Sequence, residues 1–168
     1  MGIDMNSRIQ INPKKHALSI GILFAVLVFV LPFGYGLDLG PGPDNIRALA
    51  WEYMDAPWFS GFRIVPIGTF LGSLPYTFTR FILLCFIIRY CLGKASRKAV
   101  IIAGIVNELF PMAVSGVLIA GWLLGWTQPP PPISDHWFPI YISIPLLFIF
   151  TLIFVLIAPS EADQKSRS

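Results

Sequence analysis

The sequence predicts an all-α polytopic membrane protein: a four-transmembrane-helix antiparallel bundle with a short extracytoplasmic interfacial helix, forming a single integral membrane domain over residues 1–168. Three observations carry this prediction. The 168 residues are 55% hydrophobic and only 12% charged, with mean hydropathy +0.71, against roughly 25% charged in soluble domains. The apolar residues gather in runs long enough to cross a bilayer. Nine of the twelve Lys and Arg fall in the N-terminal segment, around a central turn and in the C-terminal tail, all on one side of the layout.

Arg8, Lys14, Lys15 and His16 lead directly into the first apolar run, ALSIGILFAVLVFVLPFGYG, which predicts a first span over 17–36. A basic start before an apolar stretch also suits a signal peptide, but the further spans favour an uncleaved anchor. The next segment, 37–63, opens on Gly40-Pro41-Gly42-Pro43, and Asp44 suits the N-cap of a short helix reaching Asp55. Trp51, Tyr53, Trp58 and Phe59 suit the headgroup level, so 37–63 is expected to be an outer loop with an interfacial helix.

Residues 64–92 are mainly apolar and carry only Arg80 and Arg89 as charges, with Pro66, Pro75, Gly68 and Gly72 in the early half, which places the second span at about 70–91. A basic turn at 93–98 follows, then a third span over 99–124, a proline-rich outer loop at 127–137, a fourth span over 138–158 and a polar tail at 159–168. Under the positive-inside rule both termini and the 93–98 turn face the cytoplasm of a multi-pass cell-membrane protein. The lipid bilayer is the expected partner, with other membrane subunits or further copies of the chain as protein partners. The pI near 9.0 reflects residues flanking apolar runs, so no nucleic-acid partner is expected.

Catalytic, cofactor and metal patterns are absent from the sequence. His16 and His136 fall on opposite sides of the predicted bilayer, and no HExxH, GxSxG or glycine-rich phosphate loop occurs. Cys85 and Cys91 are six residues apart, the wrong spacing for a redox pair. No catalytic, cofactor-binding or metal-ligating residue is therefore assigned.

The polar residues inside apolar runs are the remaining candidates. Arg80 and Glu108 each lie fourteen residues from Lys94 in the turn, so an antiparallel hairpin brings them level near the midplane. A charge at that depth costs roughly 2.5–3.5 kcal/mol on insertion scales, and mutual pairing is the simplest compensation. Ser73, Tyr76 and Thr77 share a helical face with Arg80, while Asn107 and Ser115 accompany Glu108 across the hairpin. Two functions compete for this polar stripe. One is a structural clasp in a complex-forming subunit, where Arg80→Leu with Glu108→Leu restores what either single change loses. The other is a small-solute or ion path; an intramembrane enzyme is a third class.

The hairpin Thr79–Pro111, with its arginine-bearing apolar helix, its Ser-Arg-Lys turn and its Asn-Glu-Leu helix ending at a proline, resembles a pattern in small archaeal membrane proteins of unassigned function. The resemblance covers about a fifth of the chain. It implies a multi-span membrane protein and carries over no site residue.

Overall fold

Proline decides where the first helix stops. α1 (Ala17–Val30) ends because Leu31 precedes Pro32 and is held at φ −70°, ψ 135°, outside the helical region. The computed structural model, which describes residues 13–37, 44–56, 59–124 and 140–158, continues with four short strands: β1 (Gly34–Leu37), β2 (Asp44–Arg47), β3 (Trp51–Ala56) and β4 (Phe59–Ile64). Two long helices follow, α2 (Ile67–Cys91) and α3 (Arg97–Leu123), then β5 (Ile140–Ser143) and α4 (Leu146–Ile157). The strands form one antiparallel sheet in the order β4-β3-β2-β1-β5.

These elements correct the all-α, four-helix-bundle prediction. The outer loop 37–63 holds three strands and the end of a fourth, and Asp44 opens β2 rather than capping an interfacial helix. Its residues alternate with the period of a strand: Trp51 and Tyr53 flank Glu52, and Phe62 and Ile64 flank Arg63. The apolar run 138–158 is divided by Pro145, which sits at the start of α4 and favours extended backbone in the residue before it. β5 precedes the break.

Only α3, over Arg97–Gly121, is long and apolar enough to cross a membrane alone among the described residues. α2 qualifies only if Ile67–Pro75 and Thr77–Cys91, bent 76° from each other, count as one span. The bend falls where Pro75 removes a backbone donor. With 14 and 12 residues, α1 and α4 reach ~21 and ~18 Å, short of a ~30 Å hydrocarbon core. The proline-rich loop 127–137 and the tail 159–168 lie outside the described residues.

The turn between α2 and α3 is set by local chemistry. Gly93, at φ 70°, takes the left-handed position after α2; its N–H donates to the Tyr90 carbonyl and that of Lys94 to the Arg89 carbonyl, the pattern of a Schellman motif. Ser96 Oγ then accepts from the Ala99 N–H and caps α3. The hydrophobic core joins all four helices through Phe24 and Val28, Leu83 and Ile87, Val100, and Leu147 and Val155. The Tyr90 hydroxyl donates to the Ala158 carbonyl at 2.9 Å, and Gly21 faces Ile88. The start of α1, the end of α2, the start of α3 and the end of α4 therefore share one end of the molecule.

α3 and α4 pack tightly at Gly104, where an added Cβ would lie 2.5 Å from Phe148 Cδ2 and 2.9 Å from Cε2. Gly104→Ala is expected to push α4 off α3 and to cost ~1–3 kcal/mol, the usual range for overpacking. Thermal unfolding reads this directly, and a wild-type midpoint would contradict the close approach.

Candidate functional site

A helix that ends among apolar groups leaves its last carbonyls to be satisfied by something other than water. At the end of α1 that requirement is met in full. The Leu27 carbonyl accepts from the Leu31 N–H, Phe29 from the Ala50 N–H and Val30 from Trp51 Nε1. Arg80 supplies the rest. Its Nη1 donates to the carbonyls of Val28 and Leu31, each at 2.8 Å, and Nη2 donates to Pro32 at 3.2 Å. The guanidinium also stands 5.8 Å from the ring centroid of Phe33, within the range of a cation–π contact. A fixed cation at a helix C-terminus further opposes the negative end of the helix dipole. Arg80 is 2% exposed, and its Nε has no hydrogen-bond partner among the described residues.

Glu108 makes a different set of bonds. Asn107 Nδ2 donates to Oε1 at 2.9 Å, and the Ser143 hydroxyl donates to Oε2 in a short hydrogen bond. Thr79 Oγ1 donates to Asn107 Oδ1 at 3.3 Å. The chain Thr79, Asn107, Glu108, Ser143 thus ties α2, α3 and β5 together. Glu108 is near enough for its charge to act on Arg80, yet the two form no direct ion pair. The guanidinium turns to α1 and the carboxylate to β5.

The other candidates serve their own helices. Ser73 Oγ donates to the Phe70 carbonyl and Thr77 Oγ1 to the Ser73 carbonyl, beside the Pro75 bend. Such back-bonding by hydroxyls accompanies helix bending. Tyr76 occupies the break itself, and its side chain lies outside the described residues. Ser115, 5% exposed, has a hydroxyl without a partner among the described residues. The predicted stripe therefore resolves into a helix cap, an acid cluster and a bend.

A charged triad on the sheet stands outside the residues expected from the sequence. Arg47, Glu52 and Arg63 stand opposite one another on β2, β3 and β4. Arg47 Nε donates to Glu52 Oε2 at 2.9 Å, and Arg63 Nε donates to Oε1 at 2.5 Å. The glutamate is fully buried, while the side chains of Arg47 and Arg63 are 19% and 47% exposed. Ser143 and Gly34 continue the same cross-sheet row toward Glu108. The findable signal was the alternation around Glu52 and Arg63 noted above.

Burial shows that the sheet is inverted. Side chains alternate between its faces, and the face carrying Gly34, Gly36, Asn45 and Glu52 is the buried one. The opposite face holds Ile142, Tyr35, Ile46, Tyr53 and Phe62 in a row, with Trp51 and Ile64 beside it. Phe62 and Ile64 are 72% and 85% exposed, and Phe62 packs against the Trp51 and Tyr53 rings. The Glu52 carboxylate lies inside, and the rings of Trp51, Tyr53 and Phe62 lie on the outer face.

Among the described residues no three His, Cys, Asp or Glu side chains converge as a metal site. Set against known proteins, the chain matches no family model, no curated protein and no solved structure.

Proposed function

We propose that this chain is an integral membrane protein that acts as a structural, complex-forming subunit, its buried polar groups joining helices to sheet rather than handling a solute. The observation that carries the reading is the inversion: fully buried charge together with apolar residues exposed on every helix and on the sheet. Leu18 and Ile22 of α1, Ile102 and Leu109 of α3, and Ile153 and Leu156 of α4 all face outward. Soluble monomers rarely expose contiguous apolar surface beyond a few hundred Å², whereas lipid requires it. Arg89, Lys94, Arg97 and Lys98 gather at the end where α2 meets α3, as expected of a cytoplasmic end. Arg80 supports a structural role, because satisfying a helix terminus is what lets that terminus sit away from water.

A solute path has less behind it. The bonds of Arg80 are spent on α1, and the cavity of about 330 Å³ between α2 and α3 is walled by Ile82, Phe86, Ile102 and Val106, with Thr79 as its hydroxyl. That hydroxyl already donates to Asn107.

The test is fractionation with side-specific labelling. The protein is expected to stay with membranes through alkaline carbonate and to leave only in detergent. In a chain lacking Cys85 and Cys91, Ser96→Cys is expected to react with an impermeant maleimide from the cytoplasmic side and Ser134→Cys, in the proline-rich segment, from the opposite side. Release by carbonate, or labelling of both from one side, would overturn the proposal.

A further inference from the structure

The two edges of the sheet are managed differently. β5 lies against α3, with Ser143 bonded to Glu108. β4 ends the sheet on the other side, and five of its six residues are exposed. The hydrogen bond from the Val65 N–H to the Ala50 carbonyl fixes which way its backbone points. Continuing the register Trp51↔Ile64, the alternation of an antiparallel ladder turns Arg63, Gly61 and Phe59 toward β3. The N–H and carbonyl groups of Ser60, Phe62 and Ile64 point outward, and among the described residues nothing bonds them.

Protection usual for an exposed edge is missing. β4 has no proline, and its single charge, Arg63, is drawn to Glu52. Apolar surface runs on from Phe62 and Ile64 to Ile67 and Leu71 of α2, which are 75% and 56% exposed. On the membrane reading, on which this step rests for its driving force, these six backbone groups, unpaired among the described residues, would each cost several kcal/mol in lipid.

We propose that the chain forms a two-fold symmetric dimer in which β4 pairs antiparallel with β4 of a second copy, with Phe62 on the axis. The strand is complementary to itself in that register. Phe62 meets Phe62, and Ser60 meets Ile64, so every outward N–H and carbonyl of the three residues is used. Gly61, without a side chain, falls opposite Arg63 of the second copy. Shifting the axis to Arg63 would oppose two like charges, and shifting it to Gly61 would leave Ile64 outside the pairing of β4 with β4. The product is a continuous ten-stranded sheet.

Cross-linking tests this in the whole chain, in native membranes, with Cys85 and Cys91 replaced by alanine. In the proposed register Cα atoms at position 62 lie ~5.5 Å apart, inside the ~4.4–6.8 Å window for a disulfide. Those at position 60 lie ~14 Å apart, four strand residues out of step. Phe62→Cys is expected to yield at least tenfold more oxidised dimer than Ser60→Cys. Differently tagged chains carrying Ser60→Cys and Ile64→Cys are expected to cross-link to each other. Retention in carbonate-washed membranes shows that each variant is inserted. A retained Phe62→Cys chain that does not cross-link, or cross-links no better than Ser60→Cys, overturns the dimer and leaves the membrane reading standing; release by carbonate overturns the membrane reading instead. Native mass spectrometry of the unsubstituted chain in detergent is expected to show two copies, and Ser60→Pro, which removes an outward N–H alone, to shift it toward one. A wild-type monomer would also overturn the dimer.

Discussion

Arg80→Leu is expected to cost about 3–5 kcal/mol of stability, seen as lost folded yield and a lower unfolding midpoint in detergent, and adding Glu108→Leu is expected not to recover it. The substitution removes three hydrogen bonds from a charged donor and orphans the carbonyls of Val28, Leu31 and Pro32. Each buried acceptor left alone costs ~1–3 kcal/mol. Arg80→Lys should fall between wild type and Arg80→Leu, because a point charge cannot span three carbonyls as a planar fork does. Glu108→Gln should be milder, since one acceptor remains for Asn107 or Ser143. A mutual clasp makes the opposite prediction, recovery in the double variant. A double-mutant cycle separates the two: coupling below about 1 kcal/mol fits the helix cap, and coupling that erases the single losses fits the clasp. Amide exchange in the last turn of α1 should rise in Arg80→Leu and not in Glu108→Gln.

Why the sequence analysis paired Arg80 with Glu108 is instructive. Equal spacing from Lys94 locates two residues at one depth, but helix phase decides where a side chain points. The partners of Arg80 lie about fifty residues earlier in the chain, and no local pattern marks them. The α2–α3 hairpin was legible because its signals are local: Gly93 takes the positive-φ position and Ser96 caps. Pro32 and Pro145 lie inside the predicted spans 17–36 and 138–158, at the points where helix gives way to strand and strand to helix. β5 lies inside an unbroken apolar run, where periodicity is silent. β1 and β2 have four residues each, about two periods of a strand. β3 and β4 carry the alternation, but its sense is reversed from a soluble sheet, with aromatic residues outside and charges within. A helix N-cap at Asp44 and an aromatic interfacial segment were the nearer reading of such residues.

Glu52→Leu is the second change with a large expected effect, again about 3–5 kcal/mol, the usual cost of breaking a buried ion pair from one side. The glutamate is fully buried and accepts from two arginines across β2, β3 and β4, so its loss leaves like charges on either side of β3. Arg63→Leu should cost no more than about 1–2 kcal/mol, because its side chain is already 47% exposed and Arg47 still bonds the acid. Glu52→Leu with Arg63→Leu should recover part of the single loss, since one arginine instead of two then loses its bond to the acid. The measurement is unfolding in detergent, paired with cross-linking at Phe62, since β4 is held to the fold through β3 and should pair less well when the triad is broken. Were Glu52→Leu to unfold like wild type, the bonds from Arg47 and Arg63 to the buried acid would add no net stability, and the inversion on which the membrane reading stands would lose its energetic meaning.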